Sequence, residues 1–201
     1  HTVVYSSGIH PSATGDPDVE KLLSLVESHL EMGLVGAVGE TGLDWYRMYA
    51  PRDRQIRLFR FHLDLASRFS KPIIIHNRAA DEDVCDLLSN TSLPAGGVMH
   101  CFSSSPEWAE KFVSLGMYVS FAGNVTFRSA ESLRHAVAVV PKERLLLETD
   151  APFLAPVPVR GRSNHPAYIG HTYEFVAQLL HIPTDVLVEI VQDNARRLFQ
   201  L

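Results

Sequence analysis

Short, nearly continuous apolar segments recur along the chain, separated by longer segments in which apolar residues recur at helical spacing. Apolar runs of this length are typical of strands that are buried on both faces of a parallel sheet. The six predicted strands are Val3–Ile9, Leu34–Val38, Pro72–His76, Gly97–His100, Met117–Phe121 and Leu145–Asp150.

The segments between these strands have the features of amphipathic helices. Asp16 and Pro17 are suited to the start of the first helix, and Gly33 is suited to its end. Pro51 opens a second helix in the same way. The apolar stripe of the first helix consists of Val19, Leu22, Leu23, Val26 and Leu30. Two further helices are predicted to close the chain.

Alternation of strand and helix is the rhythm of βα units in a parallel sheet, which predicts an α/β fold. Six units are visible, whereas a TIM (β/α)8 barrel has eight and usually about 250 residues. The simplest interpretation is a TIM barrel whose first two βα units are absent from this chain. An open doubly wound sheet is the alternative. No linker interrupts the pattern, so residues 1–201 are expected to form a single domain, N-terminally incomplete as a barrel.

Polar residues capable of binding metal lie at the ends of four predicted strands. Glu40 follows the second strand, and His76, His100 and Asp150 end the third, fourth and sixth. The carboxyl ends of barrel strands face one rim, so these side chains are expected to converge. Two imidazoles and two carboxylates suit Zn, Mn, Fe and similar divalent ions, although each residue alone could be structural. His10 belongs to the same rim.

Composition limits the classes of function. The chain has 201 residues, 46% of them hydrophobic, and a formal net charge of -5. That charge argues against a broad basic surface for nucleic acid, but bound cations can supply a positive field locally. No apolar run approaches the ~18 residues of a membrane span, so no membrane partner is expected. Two cysteines, Cys85 and Cys101, imply no disulfide framework, and a cytoplasmic location is expected.

Several longer motifs resemble the successive signatures of the TatD family of metal-dependent deoxyribonucleases, in the family's order. They are Gly-Ile-His-Pro at 8–11, Gly-Glu-Thr-Gly-Leu-Asp at 39–44, Ile-His-Asn-Arg at 75–78, His-Cys-Phe-Ser at 100–103, Glu-Thr-Asp-Ala-Pro-Phe-Leu-Ala-Pro at 148–156 and Asn-Ala-Arg-Arg-Leu-Phe at 194–199. Asn164 and Pro166 also resemble that family. The motifs extend over the whole chain, and several are six or more residues long.

The resemblance implies a TIM-barrel hydrolase that cleaves DNA, often from the 3′ end, at a site with two divalent cations. We expect Mg²⁺, Mn²⁺ or Zn²⁺, and single-stranded DNA as the substrate, with 3′-to-5′ exodeoxyribonuclease activity. No oligomer is predicted.

Site roles are also implied by matched position. Glu40 resembles the carboxylate shared by the metals, and His76 and His100 resemble ligands of one ion. Asp150 resembles a ligand that also handles the proton of the attacking water. His10 resembles a catalytic pocket residue near the scissile phosphate. Arg78 and Asn164 resemble substrate contacts.

The chain departs from the family pattern in three places. Family members begin with a strand that carries a His-x-His pair, which is not found in this sequence. His165 stands where a Glu is usual, and Ser104 stands where a Gly is usual. The last two changes are expected to affect specificity rather than chemistry.

Two other functions remain open at this point. One is an amidohydrolase-like barrel acting on C–N or carboxyl-ester bonds, including a deacylase of aminoacyl-tRNA. Related C–N hydrolases commonly have a lysine at the bridging position, where this chain has Glu40, and this difference favours the nuclease. The other is a non-catalytic paralogue that serves as an interaction surface, which the missing His-x-His pair motivates. The remaining histidines fall in helical segments and are interpreted as surface or packing residues: His29, His62, His135, His171 and His181.

Overall fold

The computed structural model describes residues 3–201. Two compact units are present, one of His1–Met99 with Leu198–Leu201 and one of His100–Arg197. Residues 1 and 2 of the predicted domain lie outside the described residues. The expectation of a single domain stays a prediction.

The first unit alternates strands and helices as the apolar pattern predicts. Its elements are β1 (Ser6–Ser7), α1 (Val19–Glu31), β2 (Ala37–Asp44), α2 (Arg52–Arg68), β3 (Ile73–Arg78), α3 (Asp81–Ser89) and β4 (Gly97–His100), of which His100 already belongs to the second unit. The strands are adjacent in chain order, and β2 is parallel to both β1 and β3. Chain-order adjacency is what a (β/α) barrel has and a doubly wound sheet lacks at its reversal point.

Three strand predictions for this unit were wrong at their ends. The first strand is Ser6–Ser7 rather than Val3–Ile9. The second continues to Asp44, so Glu40 lies inside β2 rather than at its end. The reason is the pairing with β3, which resumes at Thr41 after a register irregularity that follows Val38. The third strand is Ile73–Arg78 rather than Pro72–His76, because it pairs with β2 as far as Arg78, and His76 therefore lies inside it.

Glycine is required on both sides of Glu40 because β3 comes very close. A Cβ on Gly39, at φ 134°, would lie 2.6 Å from the Ile74 carbonyl oxygen. A Cβ on Gly42, at φ 144°, would lie 1.9 Å from the His76 carbonyl oxygen. A side chain at either position would therefore push the two strands apart. The glycines fix Glu40 against β3.

The second unit continues the alternation. Its elements are α4 (Pro106–Ser114), β5 (Tyr118–Phe121), α5 (Glu131–Val139), β6 (Leu145–Leu147), α6 (Ile169–Leu179) and α7 (Thr184–Phe199). Strands β5 and β6 are parallel neighbours. The prediction that the sixth strand reaches Asp150 was wrong, because pairing with β5 ends at Leu147. Glu148, Thr149 and Asp150 therefore lie beyond the strand.

Large apolar side chains are buried in both units. Fully buried ones in the first include Phe59, Leu63 and Ile75, and those in the second include Phe112 and Phe121. The predicted α/β class, with parallel strands each followed by a helix as in part of a TIM barrel, is confirmed. No helix in the described residues is long and apolar enough to cross a membrane.

Candidate metal centre

His10, Glu40 and His76 come together in the first unit, and we call them the first donor set. Oε1 of Glu40 lies 3.0 Å from Nδ1 of His76 and 3.7 Å from Nε2 of His10. Two ligands that bind one ion at about 2.1 Å, with an angle near 90°, are about 3 Å apart. The Glu40 and His76 atoms are therefore spaced as ligands of one cation would be.

A buried carboxylate fixes the orientation of the His76 ring. Asp44 is 1% exposed, and its Oδ2 lies 3.3 Å from Nε2 of His76. With its proton on Nε2, the ring would donate to this carboxylate and turn the lone pair of Nδ1 towards Glu40. Carboxylates that orient metal-binding histidines in this way are common around metal sites. Sequence reasoning did not give Asp44 a role, although the residue lies within the 39–44 motif.

The His10 ring is arranged differently from that of His76. Its Nδ1 accepts a hydrogen bond from the backbone N–H of Ser12 at 3.1 Å. In the neutral ring the proton then resides on Nε2, which lies 3.2 Å from Nδ1 of His76. Nε2 of His10 is thus a donor that faces the cluster. This tautomer suits a contact to a substrate oxygen better than a bond to a cation.

A second buried histidine holds the backbone next to His10. Nδ1 of His62 donates to the Leu58 carbonyl oxygen at 2.7 Å, and Nε2 accepts from the backbone N–H of Ile9 at 3.0 Å. Burial lowers the pKa of His62 from 6.5 to about 4, against the opposing effect of the Leu58 hydrogen bond. The neutral ring therefore links α2 to the residue before His10. This agrees with the interpretation of His62 as a packing residue.

The second unit contains another group of possible ligands, His100, Glu148 and Asp150, which we call the second donor set. Nδ1 of His100 lies 3.0 Å from Oε1 of Glu148, and Nε2 lies 3.5 Å from Oδ1 of Asp150. Glu148 was not among the predicted site residues. Its position directly after the apolar run of β6 was a usable signal, since other candidate ligands were chosen on that basis.

Glu148 provides a direct test of whether a cation fits this set. Its Oε2 accepts the backbone N–H of Cys101 at 3.2 Å. Its Oε1 is buried and, although Nδ1 of His100 is 3.0 Å away, has no hydrogen-bond partner among residues 3–201. A buried carboxylate oxygen without a partner is costly. A divalent cation beside Oε1 would remove that cost, so the residues present fit a metal.

Backbone strain accompanies the second donor set. Cys101, which follows His100, has φ 45°, and Asp150 has φ 54°. Non-glycine residues in this left-handed region are uncommon and often occur at functional sites. The Sγ of Cys101 lies 3.9 Å from Oδ2 of Asp150. The two strained residues thus contact each other beyond the ends of β4 and β6.

The two predicted substrate residues have different surroundings. Arg78 is exposed at the end of β3, with its guanidinium 4.2 Å from the ring centroid of Tyr46. Asn164 is buried, and its amide donates to the carbonyl oxygens of Thr149 and Phe153 at 2.7 and 2.6 Å. Asn164 therefore braces the loop after β6. A substrate contact for either residue stays a prediction.

Predicted site residues are thus brought together in two sets, one per unit. His10, Glu40 and His76 form the first, and His100 and Asp150 belong to the second. The expectation that all of them share one rim, and that Glu40 is shared between two ions, stays a prediction.

Comparison with known proteins places the chain in a family. The family model described as "TatD related DNase" matches residues 1–200. The chain is 44% identical over 201 residues to the "Uncharacterized metal-dependent hydrolase YcfH" of Escherichia coli K12, covering 99% of this chain and 74% of that protein. It is 40% identical over 195 residues to the "Uncharacterized metal-dependent hydrolase YabD" of Bacillus subtilis 168, covering 96% and 76%.

A solved structure agrees with these matches. The crystal structure of YJJV, a TatD homolog from Escherichia coli K12, superposes with a TM-score of 0.89 and 31% identity, covering 98% of this chain and 76% of that one. The resemblance found in the motifs is thereby confirmed. The chain belongs to the TatD family, a family of metal-dependent hydrolases.

Proposed function

We propose that this chain is a metal-dependent deoxyribonuclease that removes nucleotides from the 3′ end of single-stranded DNA. The observation that carries the proposal is the first donor set, in which Nδ1 of His76 lies 3.0 Å from Oε1 of Glu40 and Nε2 lies 3.3 Å from Oδ2 of the buried Asp44. The description of the matching family as TatD-related DNases supports DNA as the substrate.

Two divalent cations, Mg²⁺, Mn²⁺ or Zn²⁺, are part of the proposal. Glu40 and His76 would bind in the first unit, and His100 and Asp150 would bind in the second, assisted by Glu148. When bound, such cations lower the pKa of water and stabilise negative charge on the reacting phosphate. Nitrogen and carboxylate donors suit all three metals, so availability as well as affinity decides which is bound.

Two residues of the chain itself would accept the proton of the attacking water and bind the phosphate. Asp150, at 28% side-chain exposure, can accept the proton of an attacking water at Oδ1 or Oδ2. Nε2–H of His10, at 33% side-chain exposure, can donate to a phosphate oxygen. Both groups are reachable from solvent, as a polymeric substrate requires.

The experiment compares Glu40→Gln with a matched control, Glu189→Gln, which changes a glutamate on α7 outside both donor sets. Cleavage of a fluorescent single-stranded oligonucleotide is measured with Mn²⁺ and with EDTA. Loss of a metal-binding carboxylate should lower the rate at least about 1000-fold, since a cation contributes several kcal/mol to the transition state. The control should cleave like the wild type. Undiminished cleavage by Glu40→Gln would contradict the proposal.

The same preparations separate the alternative functions. Cyclic amides, carboxyl esters and an aminoacyl-tRNA are offered in parallel with the oligonucleotide. Faster turnover of one of these than of DNA would favour the amidohydrolase or deacylase. No turnover of any substrate, with Mn²⁺ binding also absent, would favour a non-catalytic interaction protein.

A further inference from the structure

The loop after β2 exposes aromatic and cationic side chains close to the first donor set. Tyr46 is 66% exposed although the guanidinium of Arg78 lies 4.2 Å from its ring centroid, and the guanidinium of Arg47 lies 5.8 Å from it. One face of the ring is thus covered by Arg78. Tyr46 nevertheless stays 66% exposed, so much of its ring remains accessible. We call Tyr46, Arg47 and Arg78 the aromatic platform.

The platform is held on the same scaffold as the donors. Oδ1 of Asp44 accepts the backbone N–H groups of Tyr46 and Arg47 at 3.0 and 2.7 Å, while its Oδ2 contacts His76. Residues Asp44 and Arg78 are register partners in the β2–β3 pair. One buried carboxylate therefore positions both the histidine of the donor set and the loop that carries the ring.

Contacts with neighbouring elements hold Trp45, the residue before Tyr46. The indole N–H of Trp45 donates to Asp83 at 2.7 Å, and the backbone N–H of Trp45 donates to the Arg78 carbonyl oxygen at 2.9 Å. The guanidinium of Arg52 lies 4.8 Å from the Trp45 ring centroid. Trp45 is thus anchored to α3 and β3. Tyr46, the next residue, is exposed to solvent, and its backbone N–H donates to Asp44.

We propose that the platform binds the terminal region of a single nucleic-acid strand, with a base stacked on the exposed part of the Tyr46 ring and phosphates near Arg47 and Arg78. An aromatic ring backed by guanidinium groups suits bases on its face and phosphates at its edge. Because the chain has a net charge of -5, a polyanion would bind where cationic side chains are grouped locally, as Arg47 and Arg78 are here. This inference rests on the proposed function and identifies how that function selects unpaired strands.

The experiment uses two labelled oligothymidylates, one normal and one whose last three nucleotides at the 3′ end lack bases. Their affinities are measured by fluorescence anisotropy at low salt without added metal, so that binding is separated from cleavage. Tyr46→Ala should weaken binding of the normal strand about tenfold or more, as expected for loss of one stacked base. For the abasic strand the same substitution should change affinity less than about twofold. Tyr46→Phe should restore most of the normal binding.

Tyr49→Ala is the matched control, because Tyr49 is an exposed tyrosine of the same loop. It should bind both strands like the wild type, and circular dichroism melting should give all variants similar midpoints. Equal weakening on both strands by Tyr46→Ala, or no weakening, would overturn the inference. Base-dependent binding through Tyr46 without any metal-dependent cleavage would instead overturn the proposed function and leave the platform supported.

Discussion

The two donor sets are built in opposite ways. In the first, Glu40 and His76 lie inside paired strands, and the buried Asp44 satisfies the second nitrogen of His76. In the second, both carboxylates lie beyond the end of β6, and Oε1 of Glu148 has no hydrogen-bond partner among residues 3–201. The ligands of the first set are oriented by contacts within the protein, whereas the second set contains a buried carboxylate oxygen that lies 3.0 Å from Nδ1 of His100 but makes no hydrogen bond among residues 3–201.

This difference indicates where a bound cation would stabilise the protein most. The first set is preorganised, so a cation would find its ligands already in position. The second combines a buried carboxylate oxygen that makes no hydrogen bond among residues 3–201 with left-handed backbone at Cys101 and Asp150. Such features cost about 1–3 kcal/mol each and persist when something else compensates. We expect the cation to stabilise the second set more than the first.

The largest expected effect is loss of stability in acid through the buried His62, which holds the backbone next to His10 of the first donor set. The pKa of His62 is lowered to about 4 in the folded protein, so the unfolded chain binds this proton more readily below pH 6.5. The free energy of unfolding should therefore decrease as pH falls from 6.5 towards 4, by up to about 3 kcal/mol. Urea unfolding at several pH values measures the slope.

His62→Gln provides the comparison, because glutamine does not titrate in this range. Its unfolding free energy should vary less between pH 6.5 and 4 than that of the wild type. His135→Gln, on α5, is the control and should retain the wild-type slope. An unchanged slope in His62→Gln would contradict the assignment of the acid sensitivity to His62.

The next largest effect is expected for Asp44→Asn, which should weaken metal binding by the first donor set. An amide keeps the size of the side chain but removes the charge that polarises His76, and loss of such a partner typically lowers metal affinity about 10- to 100-fold. Calorimetric titration with Mn²⁺ measures the loss. Asp53→Asn, an exposed aspartate in the first turn of α2, is the control and should bind Mn²⁺ like the wild type. Equal affinities for Asp44→Asn and the control would refute the orienting role.

Glu148→Gln should have the smallest effect, a change in the free energy of unfolding whose sign depends on whether metal is present. Without metal, replacing this partly buried carboxylate, whose Oε1 makes no hydrogen bond among residues 3–201, by a neutral amide should raise the free energy of unfolding by about 1 kcal/mol. With saturating Mn²⁺ the wild type should become the more stable protein, because it gains the larger increment from the cation. Thermal melting with Mn²⁺ and with EDTA measures both. A variant that is less stable than the wild type in EDTA would be evidence against an uncompensated Glu148.

Periodicity predicted the fold well because the strands are short apolar runs with helices between them. It failed at β2, where Glu40, Thr41 and Asp44 make the second half of the strand resemble a loop. Pairing with β3 overrides that local signal, and it requires glycine at positions 39 and 42. Sequence patterns contain the glycines but not the neighbouring strand that explains them.

Most members of the two donor sets could be selected from the sequence because they follow apolar runs, although their role as ligands stays a prediction; Asp44 and His62, which support them, could not be selected in this way. Asp44 and His62 act through burial and through hydrogen bonds to residues 32 and 53 positions away along the chain. No local pattern distinguishes such residues from exposed polar ones. Only the packing of α2 and β3 against β2 gives them their roles.

The most direct test of the account is the product pattern from single-stranded DNA labelled at its 5′ end. Wild-type protein and Asp150→Asn are each incubated with Mn²⁺ or with EDTA, and asparagine tolerates the left-handed backbone of position 150. We expect a ladder that shortens one nucleotide at a time from the 3′ end, only in wild-type protein with Mn²⁺. Shortening that persists in EDTA, or in Asp150→Asn at the wild-type rate, would contradict it.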